Sequence, residues 1–289
     1  MIYTTDVQVP ILCPIEFQEP EDLDFYPMQE KYIPKILIDT EMNVMFRVSE
    51  TLYGGGNANL RLYISDVDGF VTYINANGIT LSTGYYFVNF KITSTHFSYL
   101  TIDSYIKFEL YSYTPPNTLD TLLADSVIYQ YAPKYDKDIK QIIYSHNKND
   151  YGLVFNKSSI EYDFKIWVES GFIPDGFGVF SEKEDFKDQF ANNTIIYGMP
   201  YEKYKFTIGD NLGIPNWLAR KINYVFLLDN ITINKLPYTV AADTNLEKVE
   251  GTYNGLAIYS IDLQQVSDFN QKMSTTFKIH NNVFSYQFN

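Results

Sequence analysis

Cysteine appears once, as Cys13, so no intrachain disulfide can form and a disulfide-stapled extracellular scaffold is excluded. Histidine appears three times, as His96, His146 and His280. None stands within metal-ligand spacing of another histidine or of Cys13, so a zinc site would have to gather ligands from distant segments. Arginine is also rare, at Arg47, Arg61 and Arg220. No stretch approaches the ~18 continuous apolar residues of a membrane helix, so membrane insertion is not expected. Positive charge is in deficit: 35 acidic residues face 22 basic ones, for a net charge of -13. Such a field repels a nucleic-acid duplex, and the densest basic group, Lys134, Lys137 and Lys140, is interleaved with Asp136 and Asp138. Nucleic acid is therefore not an expected partner. Ile2 to Pro14 carries no Lys or Arg, so the basic start of a secretory leader is missing and folding in a reducing cytoplasm is expected.

Tyrosine and phenylalanine are abundant, 26 and 21 in 289 residues. The scarcity of arginine beside abundant Ile, Asn, Tyr and Phe fits an AT-rich coding sequence. It also fits an aromatic contact surface, because Tyr supplies large area with a polar tip. Residues 1–35 form an arm with Pro10, Pro14, Pro20, Pro27 and Pro34 among Glu16, Glu19, Glu21, Asp22 and Asp24. Each proline removes a ladder donor and biases its predecessor toward extended backbone. The arm is read as lying on its own domain or on a neighbouring subunit, or as a loose terminus.

Residues 36–139 carry repeated strand signals. Leu60, Leu62 and Ile64 alternate with Asn59, Arg61 and Tyr63, the period of a half-buried strand. Val44 to Val48, Phe70 to Ile74, Tyr85 to Ile92, Tyr105 to Tyr113 and Val127 to Tyr131 continue the pattern. Gly54-Gly55-Gly56-Asn57, Asp68-Gly69, Asn77-Gly78 and Pro115-Pro116-Asn117 supply turns. This predicts an antiparallel β-sandwich, jelly-roll or Ig-like.

Residues 140–265 predict an α+β domain with two helices. Tyr162 to Val168 reads as a strand with Tyr162, Phe164, Ile166 and Val168 on one face. Ser181-Glu182-Lys183-Glu184 fits a capping box opening a short helix to about Phe190. Thr194 to Tyr197 and Lys203 to Ile208 read as separate strands. Ile214 to Phe226 is the strongest helix, with Pro215 in its first turn and Trp217, Leu218, Ile222, Val225 and Phe226 on one face. Ile231 to Ile233 and Tyr238 to Val240 flank a turn at Asn234-Lys235, and Leu256 to Leu263 closes the domain. Residues 266–289 form a tail with possible edge strands at Phe277 to Ile279 and Val283 to Phe288.

No local constellation points to catalysis, and no cofactor or metal is expected. Cys13 has no basic neighbour in sequence to activate it. No nucleophile elbow or phosphate-cradling loop occurs. Asp66-Val67-Asp68-Gly69 is half of a calcium loop but lacks the later ligands, and reads as a hairpin turn. Paired carboxylates for glycoside hydrolysis cannot be picked from so many acids. Trp217 falls on an apolar helix face and reads as core. Trp167 falls on the face opposite Phe164 and Ile166, which makes it a candidate exposed contact. With Pro10, Pro14, Pro20 and Tyr26 of the arm, it completes the set of candidate partner contacts.

The run Asp188-Gln189-Phe190, Tyr197-Gly198-Met199-Pro200-Tyr201, Phe206-Thr207-Ile208-Gly209-Asp210 and Gly213 to Asn223, with Ile231-Thr232-Ile233-Asn234 and Tyr259 to Asp262, resembles uncharacterised tail and structural-module proteins of phages and prophages of gut Bacteroidales, crAss-like phages among them. It covers about residues 140–265. Asn234-Lys235 stands where such proteins tend to have Asn-Gly. The resemblance implies a virion structural protein of the tail, baseplate or collar. Such a protein is made in the bacterial cytoplasm and assembles with copies of itself and other virion proteins. A carbohydrate- or receptor-binding module of a phage tail, with a host surface glycan as partner, is the alternative.

Overall fold

The computed structural model of the chain describes residues 7–18, 32–37, 41–50, 60–66, 69, 71–82, 84–114, 118–132, 138–157, 160–173, 178–187, 189–191, 193–209, 212–241, 244–251 and 255–266. The described fold is mainly β, with one α-helix among the described residues. Pro20, Tyr26 and the predicted tail strands lie outside the described residues.

The first half contains β1 (Val7–Gln8), β2 (Phe17–Gln18), β3 (Lys35–Ile36), β4 (Met42–Ser49), β5 (Leu60–Asp66), β6 (Val71–Asn75), β7 (Gly78–Ser82), β8 (Tyr85–Ile92), β9 (Tyr105–Thr114), β10 (Thr118–Ser126) and β11 (Tyr129–Tyr131). They form two sheets. One runs β1-β4-β8-β7. In the other, β5 lies between β6 and β9, and β10 then β11 follow the far side of β9, bordered by β2 and β3. Every pairing is antiparallel except β3 with β11. The alternation read from the sequence decides the faces. Val44, Phe46 and Val48 from one sheet and Leu60, Leu62, Ile64, Phe108 and Leu110 from the other meet in one core. Between β5 and β6, Gly69 takes a φ of 86° and its amide donates to the Asp66 carbonyl at 3.2 Å.

The second half contains β12 (Ile139–Ser145), β13 (Asn156–Lys157), β14 (Ile160–Glu161), β15 (Phe164–Phe172), β16 (Gly178–Lys187), β17 (Asn193–Ile208), helix α1 (Asn216–Val225), β18 (Asn230–Ile233), β19 (Leu236–Val240), β20 (Glu247–Gly251) and β21 (Ala257–Gln265). Six of these strands close on themselves: β12-β15-β17-β21-β19-β18 and back to β12 form an antiparallel barrel. A barrel this small is filled by side chains. Ile142, Tyr144, Phe164, Ile166, Val168, Phe206, Ile231, Ile233, Ile261 and Leu263 share one core with Leu218, Ile222 and Val225 of α1.

Two expectations for this half are corrected. The segment predicted as a helix from Glu182 to Phe190 is instead strand β16, paired from Gly178↔Lys203 to Lys187↔Asn193. The capping box is a local signal, and an isolated helix this short is marginal, so a ladder to β17 outweighs it. The two strands expected at 194–197 and 203–208 are one strand, β17, which runs through Pro200. Proline is tolerated there because β17 pairs only with β16 up to Glu202 and joins the barrel from Lys203.

A further correction concerns Trp167. It is 7% exposed, not a surface contact. Both faces of β15 are covered: Phe164, Ile166 and Val168 face the barrel core, while Trp167 joins the core of the N-terminal sheets. The Lys35–Glu169 ion pair closes the same junction at 2.7 Å. Strand β4 mirrors this arrangement. Val44 and Phe46 face the N-terminal core, while Met45 on the other face joins the barrel core and accepts a hydrogen bond from the Val154 amide at 3.3 Å. Strand β4 therefore packs on both faces, and the outer face of the other sheet carries Arg61, Tyr63, Tyr73 and Tyr111.

Residues 7–17 of the arm lie on the chain's own body. Leu12, Cys13 and Ile15 are fully buried, and Pro10 and Pro14 are buried too. Tyr144 donates a hydrogen bond to the Leu12 carbonyl, and Lys221 donates to the Cys13 carbonyl at 2.8 Å.

Candidate functional site

The outer face of the β6-β5-β9 sheet is built by the residues that alternate with its core. Leu60, Leu62 and Ile64 point inward, so Arg61 and Tyr63 point outward. On β9, Ile106, Phe108 and Leu110 point inward, so Lys107, Glu109, Tyr111 and Tyr113 share the outer face. Register brings Tyr63 opposite Tyr73 on one side and Glu109 on the other, and Arg61 opposite Tyr111.

Four tyrosines surround one arginine. The ring of Tyr63 lies 5.7 Å from that of Tyr73 and 5.4 Å from that of Tyr111, the latter nearly perpendicular at 81°. Edge-to-face and offset contacts of this kind are favoured by the ring quadrupoles. The Arg61 guanidinium carbon stands 4.5 Å from the Tyr73 ring centroid and 3.9 Å from that of Tyr113. Those two rings come from the strands on either side of β5, so they flank the guanidinium as diagonal cross-strand neighbours. Cation–π attraction of this type adds roughly 0.5–2 kcal/mol.

Arg61 has no ion pair among the described residues. Its Nε is shielded from solvent and has no hydrogen-bond partner. A hydrogen bond with Tyr63 raises its pKa above the ordinary value, and a guanidinium is cationic in any case. The other cation of this face, Lys107, is bound to Asp125. Tyr73 is 47% exposed, and Leu122, opposite Tyr111 on β10, is exposed as well. Burial raises the pKa of Tyr111 above the ordinary tyrosine value. Arg47 repeats part of the motif on β4, with its guanidinium carbon 3.6 Å from the Tyr85 ring centroid.

The sequence-derived contacts fall elsewhere. Pro14 and Trp167 line a crevice with Pro34, Tyr129, Trp217 and Lys221 at the junction of arm, sheet and helix. Its cavity of about 20 Å³ has room for one water molecule. Trp167 Nε1 is buried there without a partner. Pro10 packs against Gly152. Pro10, Pro14 and Trp167 are buried in contacts within the chain. Arg61, Tyr73, Tyr111 and Tyr113 were not singled out from the sequence. The usable signal was the outward half of two alternating strands, read as a face and not only as the complement of a core.

Among the described residues no three His, Cys, Asp or Glu side chains gather to hold a metal ion. Cys13 is buried, and desolvation pushes its thiol up to about 11 despite Lys221 nearby. That is the opposite of what a nucleophile needs. No described helix is long and apolar enough to cross a membrane. No family model matches the chain, and neither the search of curated proteins nor that of solved structures gives a match.

Proposed function

We propose that the chain is a structural component of a phage virion, a tail, baseplate or collar protein that acts without catalysis by assembling with copies of itself and with other virion proteins. The resemblance over residues 140–265 motivates this reading. In it the two N-terminal sheets are a jelly-roll or Ig-like sandwich, one of whose sheets is left to meet a neighbour. The observation that carries it is the tyrosine-arginine cluster around Arg61, because Tyr and Arg are the residues that dominate binding energy at protein contacts. Light scattering on the purified full chain tests it. A closed oligomer that dissociates when Tyr73 and Tyr113 are both changed to Ala supports assembly through this face. A monomer at all concentrations, together with absence from purified particles, overturns it.

A second reading is a carbohydrate- or receptor-binding module of a phage tail. The same cluster favours it, since tyrosine rings set beside a guanidinium can stack on a sugar ring and hydrogen-bond its oxygens.

A further inference from the structure

We infer that the Arg61 cluster is a binding site for a carboxylate-bearing sugar unit of an acidic glycan. This rests on the glycan-binding reading above and names the ligand class of that site.

Three observations converge on a carboxylate. The first is an unspent cation. In a chain of net charge -13, Arg61 has no acidic partner among the described residues, whereas Lys35, Lys91, Lys107, Lys203 and Lys221 each have one. Arg61 is therefore a cation without an acidic partner among the described residues. The second is geometry. Tyr73 and Tyr113 flank the guanidinium from the strands on either side. Access is then from the edge at the terminal Nη groups, since Nε is shielded from solvent. A carboxylate engages that edge through two parallel hydrogen bonds, which a hydroxyl cannot do. The third is what surrounds the cation. Tyr63 and Tyr73 form a pair beside it, and Tyr73 is 47% exposed, so a pyranose ring has an aromatic surface to lie on. Glu109, opposite Tyr63, supplies an acceptor for a ring hydroxyl on the same face.

Repulsion by the chain's net charge sharpens the proposal. Non-specific adsorption of a polyanion is disfavoured, so binding of an acidic glycan requires a local site. Arg61, on β5, is the candidate for that site because the other outward cation of this face, Lys107 on β9, is already neutralised by Asp125.

The test uses the full chain and three probes: polygalacturonate, the same polymer fully methyl-esterified, and a neutral glucan, each titrated calorimetrically at about 0.15 M salt. The expected result is binding to polygalacturonate, at least about tenfold weaker binding to the ester, and about tenfold or greater loss with Arg61→Gln. Arg61→Lys keeps the charge but loses the planar fork, so it should also weaken binding. Arg47→Gln, which removes the other tyrosine-stacked arginine, should leave binding unchanged. Thermal unfolding of each variant shows that the fold is intact. Equal binding of acid and ester overturns the carboxylate assignment and leaves glycan binding standing. No binding to any probe overturns both.

Discussion

Lys235 holds a φ of 72° directly after Asn234 at 48°, the left-handed pair that a two-residue turn between β18 and β19 requires. Asn234 suits the position, and its side chain also accepts from the Gln141 amide at 3.2 Å, which fixes the hairpin to β12. Lysine does not suit it, because its Cβ crowds the backbone there. Lys235→Gly is expected to stabilise the chain by about 0.5–1 kcal/mol, read as a higher thermal midpoint. An unchanged or lower midpoint counts against the turn assignment. Lys221 presents the opposite situation. Its side chain is 5% exposed on the inner face of α1, paired with Glu16 at 2.5 Å and bound to the Cys13 carbonyl. Helical periodicity marked Leu218, Ile222 and Val225 as inward but could not foresee a cation among them, because its partner lies more than two hundred residues away. Lys221→Met should cost about 2 kcal/mol, since Glu16 is left half-buried and unpaired. Adding Glu16→Gln should recover part of that loss in denaturant titration. If the double variant is no more stable than Lys221→Met, the ion pair is not what holds the arm.

The β16–β17 ribbon shows how an element can defeat its own local signal. The serine and glutamate of the capping box are in place, yet ten residues of β16 pair along β17. Phe186 and Phe190 near its tip are 56% and 75% exposed. Because β17 enters the barrel only from Lys203, removing Ser181 to Pro200 and closing Phe180 to Tyr201 with an Asn-Gly turn should leave the barrel folded. The expected thermal midpoint stays within about 3 °C of the parent, and collapse of the cooperative transition would show that the ribbon is part of the fold's support. β15 carries a related lesson. Its alternation was legible, and Phe164, Ile166 and Val168 do line one core. What alternation cannot report is a second layer on the other face, and that layer, not exposure, is the setting of Trp167.

At the scale of the whole molecule, the arm joins the two halves. Val9, Cys13, Ile15 and Phe17 belong to the N-terminal core while Leu12 belongs to the barrel core, so neither half buries its surface alone. A single cooperative unfolding transition is expected by calorimetry, and two separated transitions would mean that the halves are thermodynamically independent. The same junction predicts an alkaline limit. Burial pushes Tyr129 and Tyr144 well above the ordinary tyrosine pKa, raises Tyr32 as well, and raises Cys13 from 9.0 to about 11. A group whose folded pKa is raised contributes its full stabilisation below the unfolded pKa and loses it as pH rises toward the folded value. Stability from these groups should therefore hold to about pH 9, then fall through the thiol range and further above about pH 10 as the phenols follow. Urea midpoints between pH 8 and 11 measure this. Cys13→Ala should remove the earliest part of the fall and leave the later part.

Local chemistry determined much of this protein. The alternation at residues 60–64 and 105–113, the Asn234-Lys235 turn and the apolar face of α1 rest on contacts within one strand, one turn or one helix, and those are written in consecutive residues. Closure of the barrel, the second burial of β15 and β4 and the placing of the arm were decided only in three dimensions. They depend on which long-range pairings bury the most surface together, and no local window contains both partners. The Arg61 cluster stands between the two cases. Each outward residue was visible along its own strand, but only the register of β6, β5 and β9 sets four tyrosines around one cation.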